Sequence, residues 1–561
     1  MSSSNAAPIP ASRYKLPGFG LPVHSRPDNL FRNALDSVNL GEGDVQLPLT
    51  TLREFTMLHL MNQLTDKPNW HKKVFDETIA LKWKAEILPA EDNDITEEMV
   101  DWCIDELRYK AKIFEETGAV SVYNGDVVKS DTAVSDSLKA ALRQAVTALE
   151  DIPVREKDWH PGSDEKVLDL VHPSLFPLVY GRSRILLDSL VGLDDCIQRC
   201  GEGETIPVPS VKDANGQKVP DSYSKKFQWL PCEVDVYGGG AKITSYINNL
   251  HPQKHKNLYG VIEKIISCAI PLWNLTLTPL KIRPLMFHRI HYDSTYDHEY
   301  EEEHERDEHV QVVRQPEPGT FQPPSKTVDL RRDYSQRGLQ VIVKLANIQL
   351  TPEKPRYEGG SWHVEGQLNE HICATATYYY DSVNITGSRL GFRQQSSTDQ
   401  ASDVSYEQDE HDWLTAVFGC ENEGPGVQDV GTVDTLEGRL LTWPNILQHQ
   451  VQPFELADSS EPGHRKILAL FLVDPNIRII STANVPCQQR HWWSEHIQRG
   501  SGGISDLPVE LQDHVFGQVE DFPLSLKEAK ELRLELMEER KNFVVRHDEE
   551  FKQHQFSLCE H

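Results

Sequence analysis

Cysteine is scarce in this chain and follows no pattern. Nine of them, Cys103, Cys196, Cys200, Cys232, Cys268, Cys373, Cys420, Cys487 and Cys559, are scattered over 561 residues without the spacing of a disulfide framework. That argues against a stapled secreted scaffold and for a reducing compartment. Cys196 and Cys200, four residues apart, would be half a metal site on a helix, but no second pair completes it and they read as buried free thiols. Basic residues are also in deficit. The 57 Lys and Arg stand against 86 Asp and Glu, a formal net charge of -29, with no Lys/Arg run. Such a chain repels phosphate backbones, so no nucleic acid partner is expected. No run approaches ~18 apolar residues, so no membrane span is expected. Residues 1–32 are rich in Ser, Ala and Pro without an apolar signal core and read as a flexible arm. These shortages place the protein in the cytoplasm, with the nucleus left open, and leave the sequons at Asn274 and Asn384 unglycosylated.

What is present suits a large folded chain. Hydrophobic residues make up 38% and charged residues 25%, and the length implies two or three units or one large core with helical additions. Residues 33–210 read as mainly helical. The run Thr50-Thr51-Leu52 opens one helix with a Thr cap, Thr96 stands as the N-cap of another, and Ser135 to Leu149 has helical spacing. Residues 211–500 read as mainly β, with Lys256 to Ala269 as an amphipathic helix and Leu339 to Leu350 as a buried strand. Polar insertions near 293–332 and 394–412 read as solvated loops, the first holding the acidic-His cluster Tyr300 to His309. Residues 501–561 form a charged helical tail. Its unevenly spaced Leu532, Leu534, Leu536 and Met537 predict a helix docked on the core rather than a coiled coil.

An ordered set of residues carries the chemistry. Gly359-Gly360-Ser361-Trp362-His363-Val364-Glu365 supplies a histidine and an acid two apart, which on a strand share one face. Trp443-Pro444-Asn445-Ile446-Leu447-Gln448-His449 supplies a second histidine, and Gly463-His464-Arg465 opens an apolar strand, Ile467 to Val473. Two histidines and one carboxylate hold Fe(II) on one side and leave the opposite positions open. An arginine can grip an acidic co-substrate in a bidentate fork. The His-x-acid pair alone is common in a chain with 23 histidines. His291-Tyr292-Asp293 and His547-Asp548-Glu549 share the spacing. Nothing after His291 fits a site, and His547 is expected on a solvated helix face of the tail.

The weight lies in the residues downstream of His363. Ala374 to Arg393 resembles the strand–turn–strand after the His-x-acid motif of prolyl-hydroxylase-like Fe(II)/2-oxoglutarate oxygenases, and Gly438 to Asn445 resembles their strand and Pro turn before the second histidine. The resemblance covers roughly Leu339 to Pro475. It implies an α+β protein with a double-stranded β-helix (jelly-roll) core in residues 211–500, a large helical N-terminal region and a C-terminal helix. It implies Fe(II) on His363, Glu365 and His449. Arg465, with Tyr379 beside it, would bind 2-oxoglutarate, and dioxygen and an unknown primary substrate would complete the reaction. The acid is Glu where the family more often has Asp, and the gap from His449 to Arg465 is longer than usual by the turn-like Ala457 to Pro462. Over its whole length the chain also resembles a fungal family named only for a domain of unknown function.

Lys344 and Asn347, three apart on the strand Leu339 to Leu350, cannot both face a shared interior. Two rivals stay open: a metal enzyme of the same fold that does not use 2-oxoglutarate, and a non-catalytic barrel serving as a protein-interaction scaffold.

Overall fold

The computed structural model describes residues 14–36, 46–88, 95–124, 126–213, 215–281, 289–293, 312–314, 327–402, 404, 411–500, 503–519 and 521–558. The cluster Tyr300 to His309 and most of the insertion around it lie outside these residues.

Antiparallel sheets and helices are mixed along the chain. The strands that build the site are β1 (Val120–Val122), β2 (Val127–Ser130), β3 (Val167–Val171), β4 (Cys232–Asp235), β5 (Lys242–Ile243), β6 (Leu339–Leu350), β7 (Ile372–Val383), β8 (Arg389–Gln395), β9 (Val427–Asp434), β10 (Leu440–Pro444), β11 (Gln448–Val451) and β12 (Gly463–Val473). The main sheet runs in the order β5-β4-β6-β12-β7-β10-β2-β1, with β3 also paired to β6. A three-stranded sheet has the order β9-β8-β11. Residues 33–210 thus supply helices and also three strands of the main sheet.

Cross-strand partners share a face, so the ladders sort the side chains. Lys344 pairs with Ala469, Ala346 with Ile467 and Ile348 with Arg465. Thr377 pairs with Ala469, Tyr379 with Ile467 and Thr375 with Phe471, and Trp443 pairs with Thr375. These residues make the inner face. The alternate residues, including Val343, Leu345, Leu468 and Leu470, belong to a hydrophobic cluster with helix residues such as Leu258, Ile262 and Ile266. Both faces of the central strands are therefore covered, which is why β6, β7 and β12 read as nearly unbroken apolar runs. Asn347 falls on the helix side, where it donates to Glu150 Oε1 at 2.6 Å, and Lys344 falls on the inner side.

The helices of that layer are α1 (Leu52–Thr65), α2 (Glu97–Thr117), α3 (Asp136–Glu150) and α4 (Lys256–Leu277). Thr51, Thr96 and Ser135 cap the first three, each accepting from a backbone N–H in the first turn. The sequence places the end of α4 at Ala269, ahead of Pro271; the helix instead runs on to Leu277. Pro271 removes the donor for the Ser267 carbonyl, and Arg331 Nη2 takes its place at 3.3 Å. By length and composition α4 could also cross a membrane, against the expectation from the sequence. Here its apolar residues, Trp273 and Ile266 among them, are buried in the core.

The tail forms α5 (Leu526–Phe551), opened by a capping box between Ser525 and Glu528. Ala529, Leu532 and Leu536 pack with Trp229 and Phe471, while Leu534 is exposed. His547 is not on a solvated face: it is buried, between Phe543 and Phe551, with Nε2 3.3 Å from the Ala34 carbonyl. The N-terminal segment covers that side of the helix, a contact no local pattern announces.

Candidate metal centre

The structure brings His363, Glu365 and His449 together, with one ligand-type atom from each lying within 4.8 Å of the others. His449 sits on β11, opposite Phe392 of β8. His363 is not on a regular strand. It makes an isolated antiparallel bridge to His449, with N–H to carbonyl distances of 3.2 and 2.9 Å. The two rings lie 4.4 Å apart. Glu365 comes next in a bend, before Gly366 at φ +73, where a Cβ would meet Ile372 Cδ1 at 2.9 Å. The sequence expected a strand through His363 and Glu365. The turn at Gly366 ends it, and the longer acid reaches in from the bend.

The ring orientation of His363 is settled by chemistry. Its Nδ1 is 2.8 Å from the Ser361 carbonyl, which can only accept, so Nδ1 carries the proton and the Nε2 lone pair is free. That Nε2 faces Glu365 Oε1 at 3.9 Å, and His449 Nε2 lies 3.3 Å from the same oxygen. Burial and the neighbouring His449 push His363 down to about 4. Burial opposes ionisation of Glu365, but the hydrogen bond from His449 and the charges of both histidines outweigh it and hold Glu365 at about 2. At neutral pH His363 is a free imidazole and Glu365 a carboxylate. His449 Nδ1 is buried without a partner among the described residues.

Residues that sequence reading passed over hold this arrangement. Asn445 clasps the Glu365 backbone: its Oδ1 accepts from the Glu365 N–H at 2.8 Å and its Nδ2 donates to the Glu365 carbonyl at 3.0 Å. Arg393 stacks 4.6 Å from the Trp362 ring centroid, donates to Gln448 beside His449, and pairs with Asp548 of α5. The Pro-turn motif pointed at Asn445, but nothing in it specified a clamp.

Arg465 is 2% exposed. Its Nη1 donates to Ser388 Oγ at 2.5 Å, and its guanidinium lies 5.4 Å from the Tyr379 ring and 5.0 Å from that of Phe454. Among the described residues no carboxylate pairs with it, and Nε has no acceptor. His464 turns away to Asp381 and Lys466 to Glu150. His291 to Asp293 forms a separate two-stranded sheet with Val312–Arg314.

A second grouping, His160, Asp169 and His172, has metal-type side chains at similar spacing. Its chemistry differs. The Ser174 N–H donates to His172 Nδ1 at 3.1 Å, and burial pushes His172 well below its usual value. The neutral ring therefore carries its proton on Nε2 and offers no lone pair there. Of these two groupings among the described residues, the 363–365–449 set is the candidate metal site, with the His363 Nε2 lone pair open.

Among solved structures the chain is similar to that of IDO from Bacillus thuringiensis, at 9% identity over 65% of this chain and 94% of that one, with a TM-score of 0.24. It is similar to the Fe(II)/(alpha)ketoglutarate-dependent dioxygenase TqaL, at 11% identity over 62% and 94%, TM-score 0.22. It is also similar to the dioxygenase for auxin oxidation in rice, at 12% identity over 68% and 81%, TM-score 0.25. At those scores the likeness carries no argument about this chain. No curated protein matches it. A sequence model for the N-terminal domain of unknown function DUF4246 matches residues 16–86. The main model, described as protein of unknown function (DUF4246), matches residues 97–496, and the chain belongs to that family.

Proposed function

We propose that this protein is an Fe(II)- and 2-oxoglutarate-dependent oxygenase, with the two sheets as the walls of a jelly roll around the metal. The observation that carries the reading is Arg465, a buried guanidinium with no carboxylate partner among the described residues, on the same inner face as Trp443, whose ring lies 4.9 Å from that of His449. A buried cation without a counter-charge is costly, and a dicarboxylic co-substrate supplies the missing anion. Trp443 Nε1 and Thr375 Oγ1 of the same face are also buried without partners.

His363, Glu365 and His449 would hold the iron, an all-N/O set that suits Fe(II) and leaves coordination positions open. The bound metal supplies the coupling of 2-oxoglutarate and dioxygen to succinate, carbon dioxide and a hydroxylated C–H bond. Arg465 orients the co-substrate by its distal carboxylate, and the Tyr379 and Phe454 rings flank the guanidinium. The cytoplasm and an unidentified small molecule or protein side chain as primary substrate belong to the same proposal.

The test is the visible charge-transfer band of an Fe(II)–2-oxoglutarate chelate, recorded without oxygen. The wild type should show it. Arg465→Ala should require at least about tenfold more 2-oxoglutarate for the same band, the effect of losing one charge-assisted pair. Absence of the band in the wild type would sink the proposal.

A further inference from the structure

The inner face carries one more cation than this function uses. Lys344 lies on β6 directly across from Ala469, on the side that Arg465 also faces. It is partly buried, and among the described residues it makes no hydrogen bond or ion pair. Its charge acts on His363 and Glu365 and also on Asp169 and His172, so it lies near both polar clusters. The carboxylates in reach are occupied: Glu365 faces His449 at 3.3 Å and Asp169 faces His160 at 2.8 Å. Asp169 Oδ1 has no partner, yet it too lies beyond ion-pair distance of Lys344.

The other unsatisfied atoms of this face are mostly donors. Trp443 Nε1 and Arg465 Nε can only donate, and Thr375 Oγ1 can do so. With a divalent metal on Glu365 and a dianionic co-substrate on the metal and Arg465, those charges cancel, and Lys344 is the remaining cation. This face is thus short of acceptors and of negative charge, although the chain as a whole is strongly acidic.

We propose that Lys344 anchors an anionic group of the primary substrate, so that the site selects a molecule bearing a carboxylate or a phosphate. The assignment rests on the oxygenase reading for this charge balance and for what happens to that molecule afterwards, but not for the unpaired Lys344 itself. Two measurements separate the two ideas. In the zinc-loaded protein, the Lys344 side-chain NMR signal is identified by its absence from Lys344→Met. Acetate and phosphate should each shift it saturably, and Lys344→Arg should keep a saturable response at the new side chain. A shift that tracks ionic strength alone, or none at all, overturns the proposal. The anaerobic Fe(II)–2-oxoglutarate band should form in Lys344→Met with the same co-substrate requirement as in the wild type. A requirement raised tenfold would make Lys344 a co-substrate ligand and also overturn it. A wild type with the anion shift but no band would leave the anion site standing and remove only the oxygenase reading.

Discussion

Glu365 approaches the metal centre from a bend, and its backbone is held there by a side chain from elsewhere in the chain. Asn445 satisfies both the N–H and the carbonyl of Glu365, so the acid's position depends on the turn after β10 rather than on its own strand. Losing such a support costs a metal site about 10- to 100-fold in affinity. Asn445→Ala should therefore bind Fe(II) in that proportion more weakly while keeping its fold, read by metal titration with circular dichroism as the control. His363→Ala removes a ligand and should abolish stoichiometric binding. The pH dependence is set by His363, held at about 4. A proton on Nε2 competes with the metal, so binding should be flat from pH 8 to about 5 and fall as the pH approaches 4. Zinc retention after gel filtration across that range checks it. A loss beginning near pH 6.5, the ordinary range of histidine, would show that His363 does not set the limit.

At the scale of elements, the end of β12 ties the N-terminal segment to the sheet. Asp474 accepts the Phe31 N–H at 2.6 Å and the Asn476 N–H at 2.8 Å. Burial outweighs those bonds and raises it to about 6. An acid raised in the folded state costs stability above that value, and the cost disappears as the pH falls from about 6 towards 4, where the native state binds the proton first. Asp474 should thus stabilise the protein by roughly 3 kcal/mol on going from pH 7 to 4. Asp474→Asn should remove that part of the gain, seen as a smaller rise in Tm between pH 7 and 5 than in the wild type. Elements were legible where one segment carried its own signal. Thr51 and Thr96 announce α1 and α2, and β6, β7 and β12 are apolar because both faces are covered. What was hidden depends on distant partners. The run of α4 past Pro271 needs Arg331, 64 residues from the carbonyl it satisfies. Strands β1 to β3 are short and stand among helices, so their pairing with β10 and β6 has no local mark. The members of the candidate site, His363, Glu365 and His449, were legible by order and spacing, while the bend at Gly366 and the Asn445 clamp were not.

At the scale of the molecule, the candidate metal centre is buttressed by an N-terminal segment and by α5. From the N-terminal side, the Ala34 N–H donates to the Asn445 carbonyl, and Asn33 Oδ1 lies 3.4 Å from Asn445 Nδ2. From the C-terminal side, Asp548 of α5 pairs with Arg393 over Trp362, and Arg540 donates to Glu370 Oε1 at 2.7 Å while stacking 3.8 Å from the Trp229 ring centroid. Glu370 is fully buried, and it also accepts the backbone N–H of Gln367, two residues beyond Glu365, at 2.6 Å. The helix therefore reaches the loop that carries Glu365 through the buried Glu370 carboxylate as well as through Arg393. Arg540→Met keeps the stacking area on Trp229 but leaves that carboxylate without its cation, a loss of about 3 kcal/mol for a buried pair. The variant should show a lowered urea midpoint and, while still folded, weaker Fe(II) binding, because the Gln367 bend loosens with Glu370. The double variant Arg540→Met with Glu370→Gln removes the uncompensated charge and should recover most of the lost stability. If both single and double variants unfold at the wild-type midpoint, α5 rests on the core without supporting the centre.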